Sequence, residues 1–180
     1  RTIAITGRIN WPQRSACTIV NLVPRITNDA NQALTQPQPR AVIKTVGQQL
    51  EAFSVAGVKP GFNDHEENGV SAFETITEKS FPGKWKVIYF YPKDFTFVCP
   101  TEIVGFAKLA QDFADRDAVV LGGSTDNEFA KLGWRRDHAD LKSLNHWQFA
   151  DVTGSLVDQL GVRDPAEGVA QPGGQRGHER

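Results

Sequence analysis

The sequence predicts an α/β domain in which a mostly parallel β-sheet is flanked by helices. Short apolar runs of strand length alternate with amphipathic segments of helix length between residues 86 and 160. Capping and turn residues stand at their junctions. The chain has 180 residues, 39% of them apolar and 23% charged, which is enough for one buried core and excludes a wholly disordered or collagen-like chain.

Residues 86–91 (KVIYFY) form a continuous apolar run with β-branched members, closed by Pro92, as in a strand buried on both faces. Residues 102–115 place Ile103, Phe106, Ala110 and Phe113 on one side at helical spacing. Residues 117–124 (DAVVLGGS) read as a second buried strand. Residues 127–139 read as a helix with Asp126 as N-cap and Phe129, Leu132 and Trp134 among its apolar residues. A third strand over 147–150 and a short helix over 155–160, stopped by Gly161, complete the pattern.

The ends differ from this middle. Residues 1–40 hold five arginines, no lysine and one acid (Asp29), a net charge of +4, so the remaining 140 residues carry −5. They also hold Pro12, Pro24, Pro37 and Pro39 and show no sustained period. The segment is expected to be an extension outside the core. Its composition fits an organellar transit peptide, or a stretch translated from upstream of the true start. After Val169 the chain reads AQPGGQRGHER, and residues 172–180 are expected to be a disordered tail. The domain is thus assigned to residues 41–171, with an open sheet edge as a liability.

Charge and composition narrow the function. A net charge of −1 gives no global basic field for nucleic acid, and no apolar run is long enough to span a membrane as a helix. Two cysteines, Cys17 and Cys99, are too few for a disulfide scaffold and lack zinc-ligand spacing. His65, His138, His146 and His178 are scattered without ligand spacing, so no metal is expected.

The informative passage is residues 91–103, YPKDFTFVCPTEI. A strand ends at Pro92, a short loop follows, and Cys99 falls at the opening of a helix. There it faces unpaired N–H groups and the positive end of the helix dipole, which favour a thiolate. A thiol with a pKa near 8.5 is only ~3% ionised at pH 7, and raising that to ~90% takes about 2 kcal/mol. The helix end supplies roughly 0.3–1 kcal/mol, so a hydroxyl or a cation must supply the rest. Thr96 can bring its hydroxyl to the sulfur, and Pro100 fits a first helical turn. A lone cysteine in an apolar stretch can equally be a small buried hydrophobe, so position alone leaves both readings open.

The residue string adds to this. Residues 91–103, with the core Pro92-x-x-x-Thr96-x-x-Cys99, resemble the active-site motif of the peroxiredoxins. The longer string FPGKWKVIYFYPKDFTFVCPTEIVGFAKL resembles the alkyl hydroperoxide reductase C type of the typical two-cysteine group, and the likeness runs over residues 41–171. The resemblance implies a thioredoxin-like sheet flanked by helices, with the C-terminal strands and last helix missing here. It implies a thiol-dependent peroxidase for hydrogen peroxide and alkyl hydroperoxides, in which Cys99 is the peroxidatic cysteine and passes through a sulfenic acid. Thr96 would hold the peroxide oxygens, Pro92 would shield the sulfenate, and Glu102 would help organise the site's arginines. No metal or organic cofactor is implied. A thioredoxin-like reductase, or one of the alkyl hydroperoxide reductase F or D type, would supply electrons. A homodimer or larger ring in the cytoplasm is the family expectation.

Departures from the pattern matter too. The family's arginine after the GVAQ-like string is Pro172 here, and Arg176 is out of register. Loss of that cation should raise the thiol pKa. The region of the resolving cysteine is absent, and Cys17 stands on the wrong side of the domain to replace it. A Cys17–Cys99 bridge would need the extension to fold over the site. These departures motivate an alternative: a truncated, weakly active fragment that acts by association or chaperone-like binding. Trp134, Arg135 and Arg136 are candidates for a nearby cation, although helix arginines are ordinarily solvated. Lys84, Lys86 and Lys93 frame a strand, and Phe95 and Phe97 are expected to pack around the site.

Overall fold

Among the described residues, eight strands and three α-helices follow one another: β1 (Cys17–Val20), β2 (Ser54–Val58), β3 (Glu66–Glu67), β4 (Val70–Ser71), β5 (Phe73–Thr77), β6 (Trp85–Phe90), α1 (Cys99–Ala114), β7 (Ala118–Ser124), α2 (Glu128–Asp137), β8 (Trp147–Ala150) and α3 (Ser155–Leu160). They belong to a computed structural model that describes residues 50–97, 99–142 and 144–170 and the backbone of Cys17–Val20. The rest of the expected extension and the expected tail at 172–180 lie outside the described residues.

The main sheet has the order β1-β6-β7-β8-β2-β5. β6, β7 and β8 run parallel, whereas β1, β2 and β5 join antiparallel. The expected mostly parallel sheet is therefore mixed. The parallel half follows from the two helical crossovers, α1 and α2, which return the chain to the same edge. The antiparallel half comes from β2 and β5, two strands before residue 86 that the sequence pattern did not disclose. The expectation that residues 1–40 stand apart from the core is corrected at Cys17–Val20, whose backbone pairs with β6 and covers its open side.

Side chains alternate across β6 as its unbroken apolar run requires. Ile88 and Phe90 join Leu121, Phe149, Leu156 and Val157 on the α3 side. Val87 and Tyr89, followed by Tyr91, join Ile103, Val120 and Trp134 on the side of α1 and α2. Both layers are nearly dry, with Ile88, Tyr91, Ile103 and Val157 fully buried. Gly122 and Gly123 in β7 let the rings of Tyr89 and Phe149 lie directly on the strand, because a Cβ at either position would collide with them.

Helix boundaries are set by specific caps. Asn127, not Asp126, caps α2, its side chain accepting from Ala130 N at 2.8 Å. Asp126 is engaged elsewhere, as described below. Asp151 serves α3 from outside its first turn: Oδ2 accepts from Leu156 N at 2.9 Å and Val157 N at 2.8 Å. Gly161 ends α3 as expected, in a left-handed conformation with φ 66°. No helix among the described residues is long and apolar enough to cross a membrane.

Candidate active site

Tyr91 leaves the sheet with its N–H still bonded to Gly123 O at 3.0 Å. Residues 92–97 lead toward α1, of which Cys99 is the first residue. Pro92 stands half-buried at the start of this loop. Phe95 adopts a left-handed φ of 57°, a conformation that β-carbon sterics disfavour. It is held by ring contact with Trp134 at 6.0 Å between centroids. Thr96 Oγ1 donates to Lys93 O at 3.2 Å, so the loop folds back on itself. Phe97 is 99% exposed and does not pack around the site as expected: its ring stands in solvent.

Cys99 is a free thiol, 6% exposed, in the core cluster that holds Tyr89, Tyr91, Ile103 and Trp134. Burial is the strongest influence on it and pushes its pKa up; the Thr96 hydroxyl and the Lys93 main chain pull it down, while Glu102 and Asp94 push it up. The strongest influences include no cation. The expected preference for the thiolate is thus corrected. The helix end and the Thr96 hydroxyl are in place, but in so dry a position desolvation outweighs them. Glu102, three residues on and half-buried, is itself pushed up by burial.

Thr96 has one proton to give. While it points to Lys93 O it can accept from the thiol, and rotation about its C–O bond turns it to a thiolate or a bound oxygen. The site therefore holds a neutral thiol at rest with a donor beside it.

Behind the loop lies a polar network that sequence reasoning largely missed. Arg135, weighed in the sequence as an ordinarily solvated helix arginine, and Lys131 of the same helix are both completely buried. Lys131 Nζ donates to Asp94 Oδ2 at 3.0 Å and Ser124 Oγ at 2.7 Å. Arg135 donates to Gln148 Oε1 at 2.6 Å, Lys59 O at 2.6 Å and His146 O at 3.2 Å. Gln148 Nε2 in turn donates to Tyr91 Oη at 3.1 Å. Burial pushes the Arg135 guanidinium down to about 10, so it stays charged at neutral pH. It joins β2, α2 and β8 rather than facing the sulfur. Arg136 is exposed and lies near Asp137 and Asp64. A signal was available: Lys131 and Arg135 are four residues apart, on the same helical face as the buried Leu132 and Trp134.

Two further titratable side chains are buried. Lys86 in β6 is 4% exposed and donates to Glu78 O at 3.3 Å. His146 is buried and shares a 2.7 Å hydrogen bond with Tyr89 Oη. The side chain of Cys17 lies outside the described residues, as do Pro172 and Arg176.

Residues 46–174 match the model of the AhpC/TSA family. Alkyl hydroperoxide reductase C of Mycobacterium tuberculosis is 46% identical over 129 residues, covering 70% of this chain and 65% of its own length. Peroxiredoxin-2 of Rattus norvegicus is 45% identical over 105 residues, 57% of this chain and 53% of its own. The chain thus spans less than two thirds of the length of these relatives. Among solved structures, Mycobacterium tuberculosis AhpC superposes with a TM-score of 0.64 at 42% identity, covering 73% of this chain and 74% of that one. A reduced 2-Cys peroxiredoxin of Plasmodium vivax gives 0.59 at 29% identity over 69% and 62% of the two chains. The strand–loop–helix that presents Cys99, the mixed sheet behind it and these likenesses agree: the chain belongs to the AhpC/TSA family, as a peroxiredoxin of alkyl hydroperoxide reductase C type.

Proposed function

We propose that the chain is a thiol-dependent peroxidase that reduces hydrogen peroxide and alkyl hydroperoxides through Cys99. The observation that carries this reading is the placement of the Cys99 thiol at the first turn of α1 with the Thr96 hydroxyl acting on it. Cys99 loses its proton, and the sulfur attacks the terminal oxygen of the peroxide. An S–O bond forms, the O–O bond breaks, and the sulfur gives up two electrons. The departing alkoxide or hydroxide takes a proton and leaves as alcohol or water.

Thr96 turns its hydroxyl from Lys93 O toward the reacting oxygens, where charge develops as the O–O bond lengthens. Pro92, with no N–H to offer, closes one side of the site against water. Each turnover consumes two thiol equivalents. A dithiol reductant of thioredoxin-like or alkyl hydroperoxide reductase F or D type attacks the sulfenic sulfur, becomes a disulfide and releases water. Residues 41–171 are the unit that carries this chemistry, as a homodimer or larger homo-oligomer in the cytoplasm. Family membership and the formed site favour this reading over a fragment that acts only by association.

Peroxide consumption with a dithiol reductant, measured for the wild type beside Cys99→Ser, tests it. The variant should lose essentially all turnover; equal rates would exclude the proposal.

A further inference from the structure

Asp94 stands five residues before Cys99 and is held from two directions. Its N–H donates to Asp126 Oδ2 at 2.7 Å, and its own Oδ2 accepts from Lys131 Nζ at 3.0 Å. The side chains of Lys131 and Asp94 are 0% and 2% exposed. Lys131 also donates to Ser124 Oγ at the end of β7 and lies over the Tyr91 ring, 5.4 Å from its centroid. One ammonium thus joins the cysteine loop, the end of β7 and helix α2.

Stability alone is a weak reason for such a pair. Desolvating two charges offsets most of their attraction, and apolar replacements often fold as well. Asp94 Oδ1 moreover accepts no complete hydrogen bond, although the Tyr91 hydroxyl acts on this carboxylate. What the pair does secure is geometry. Between the anchor and the sulfur lie the left-handed Phe95 and the back-folded Thr96, whose hydroxyl is the donor of the site. A loop in that conformation persists only when its surroundings hold it.

We propose that Lys131 and Asp94 are a positioning pair for Cys99: the buried ion pair tethers residues 93–97 to α2 and keeps the Thr96 hydroxyl within reach of the sulfur and of an incoming peroxide oxygen. The proposal rests on the peroxidase reading of the site. Neither residue touches substrate, and both act through the loop.

The test compares two reactions of the same sulfur in the full chain: oxidation by stoichiometric hydrogen peroxide, which needs the aligned hydroxyl, and alkylation by iodoacetamide above the thiol pKa, which needs only access. Lys131→Met and the double variant Asp94→Asn/Lys131→Met are each compared with the wild type. Both should lose at least about tenfold in peroxide rate, as small misplacements of catalytic groups do, and keep alkylation within about threefold. If the double variant oxidises at the wild-type rate, an uncompensated carboxylate explains the single variant, and the tether is overturned. Equal losses in both reactions overturn it as well. The charge-neutral double variant decides the matter should Lys131→Met fail to fold. If the wild type does not react with peroxide, the peroxidase reading fails separately. Amide exchange at Asp94 then judges the tether: about tenfold faster exchange in the double variant supports it, and unchanged exchange overturns it.

Discussion

The chemistry of the site turns on how much anion the buried sulfur of Cys99 can sustain. Burial pushes its pKa up and the Thr96 hydroxyl pulls it down. A raised thiol pKa leaves the neutral form dominant at pH 7, so oxidation by peroxide should accelerate as pH rises, by about tenfold per unit until the thiol has ionised. Stopped-flow oxidation from pH 6 to 9 checks this, and a flat profile would contradict it. Thr96→Val removes a group that favours the anion. Its alkylation profile should move to higher pH, and its peroxide rate should fall about a hundredfold. At this scale the sequence displayed the candidate reacting groups and was silent about what stands behind them. Pro92, Thr96 and Cys99 sit within eight residues of one another, so local order displays them. Lys131 reaches Asp94 only through the packing of α2 on the loop, and a charged residue in a helix reads as solvated until its partners are known.

Elements with strong local signals were legible, and those defined by distant partners were not. β6 and β7 carry apolar runs over residues 87–90 and 118–121, and Gly161 marks the end of α3. β2 and β5 (SVAGV and FETIT) are short, and β5 lies at the sheet edge with Glu74 and Thr75 exposed, so neither shows a decisive period. The N-cap of α2 fell one residue late because Asp126 and Asn127 are both good caps, and the choice was made by Asp94, which claims Asp126. The two capping devices should differ in energetic weight. Asn127→Ala removes one exposed cap and should cost about 1 kcal/mol. Asp151→Ala leaves two buried N–H groups without acceptors and should cost about 2–4 kcal/mol. Urea unfolding of the two variants measures both; an Asn127 effect larger than that of Asp151 would contradict this ranking.

Across the whole molecule, the buried polar groups give stability a pH dependence that is readable in the folded chain. Burial, aided by Arg135, pushes His146 down to about 3. The unfolded chain takes up that proton near pH 6.5 and the folded chain refuses it, so acid favours unfolding. Stability should fall as pH drops from about 6.5, by up to about 1.4 kcal/mol per unit for this one group. Asp94 and Asp151, pushed up by burial, act with the opposite sign over the carboxylate range. His146→Gln should therefore flatten the loss seen in urea unfolding between pH 6.5 and 4; an unchanged slope would show that His146 is not its source. The class of fold and the candidate loop before Cys99 were visible in the sequence because both rest on short-range patterns, whereas the mixed sheet and the Lys131–Arg135 network required the assembled layers. The central claim concerns one sulfur, and brief exposure of the intact chain to stoichiometric hydrogen peroxide, followed by peptide mass spectrometry, tests it most directly. Sulfenic acid should form at Cys99 ahead of Cys17, and oxidation of Cys17 with Cys99 untouched would contradict the account.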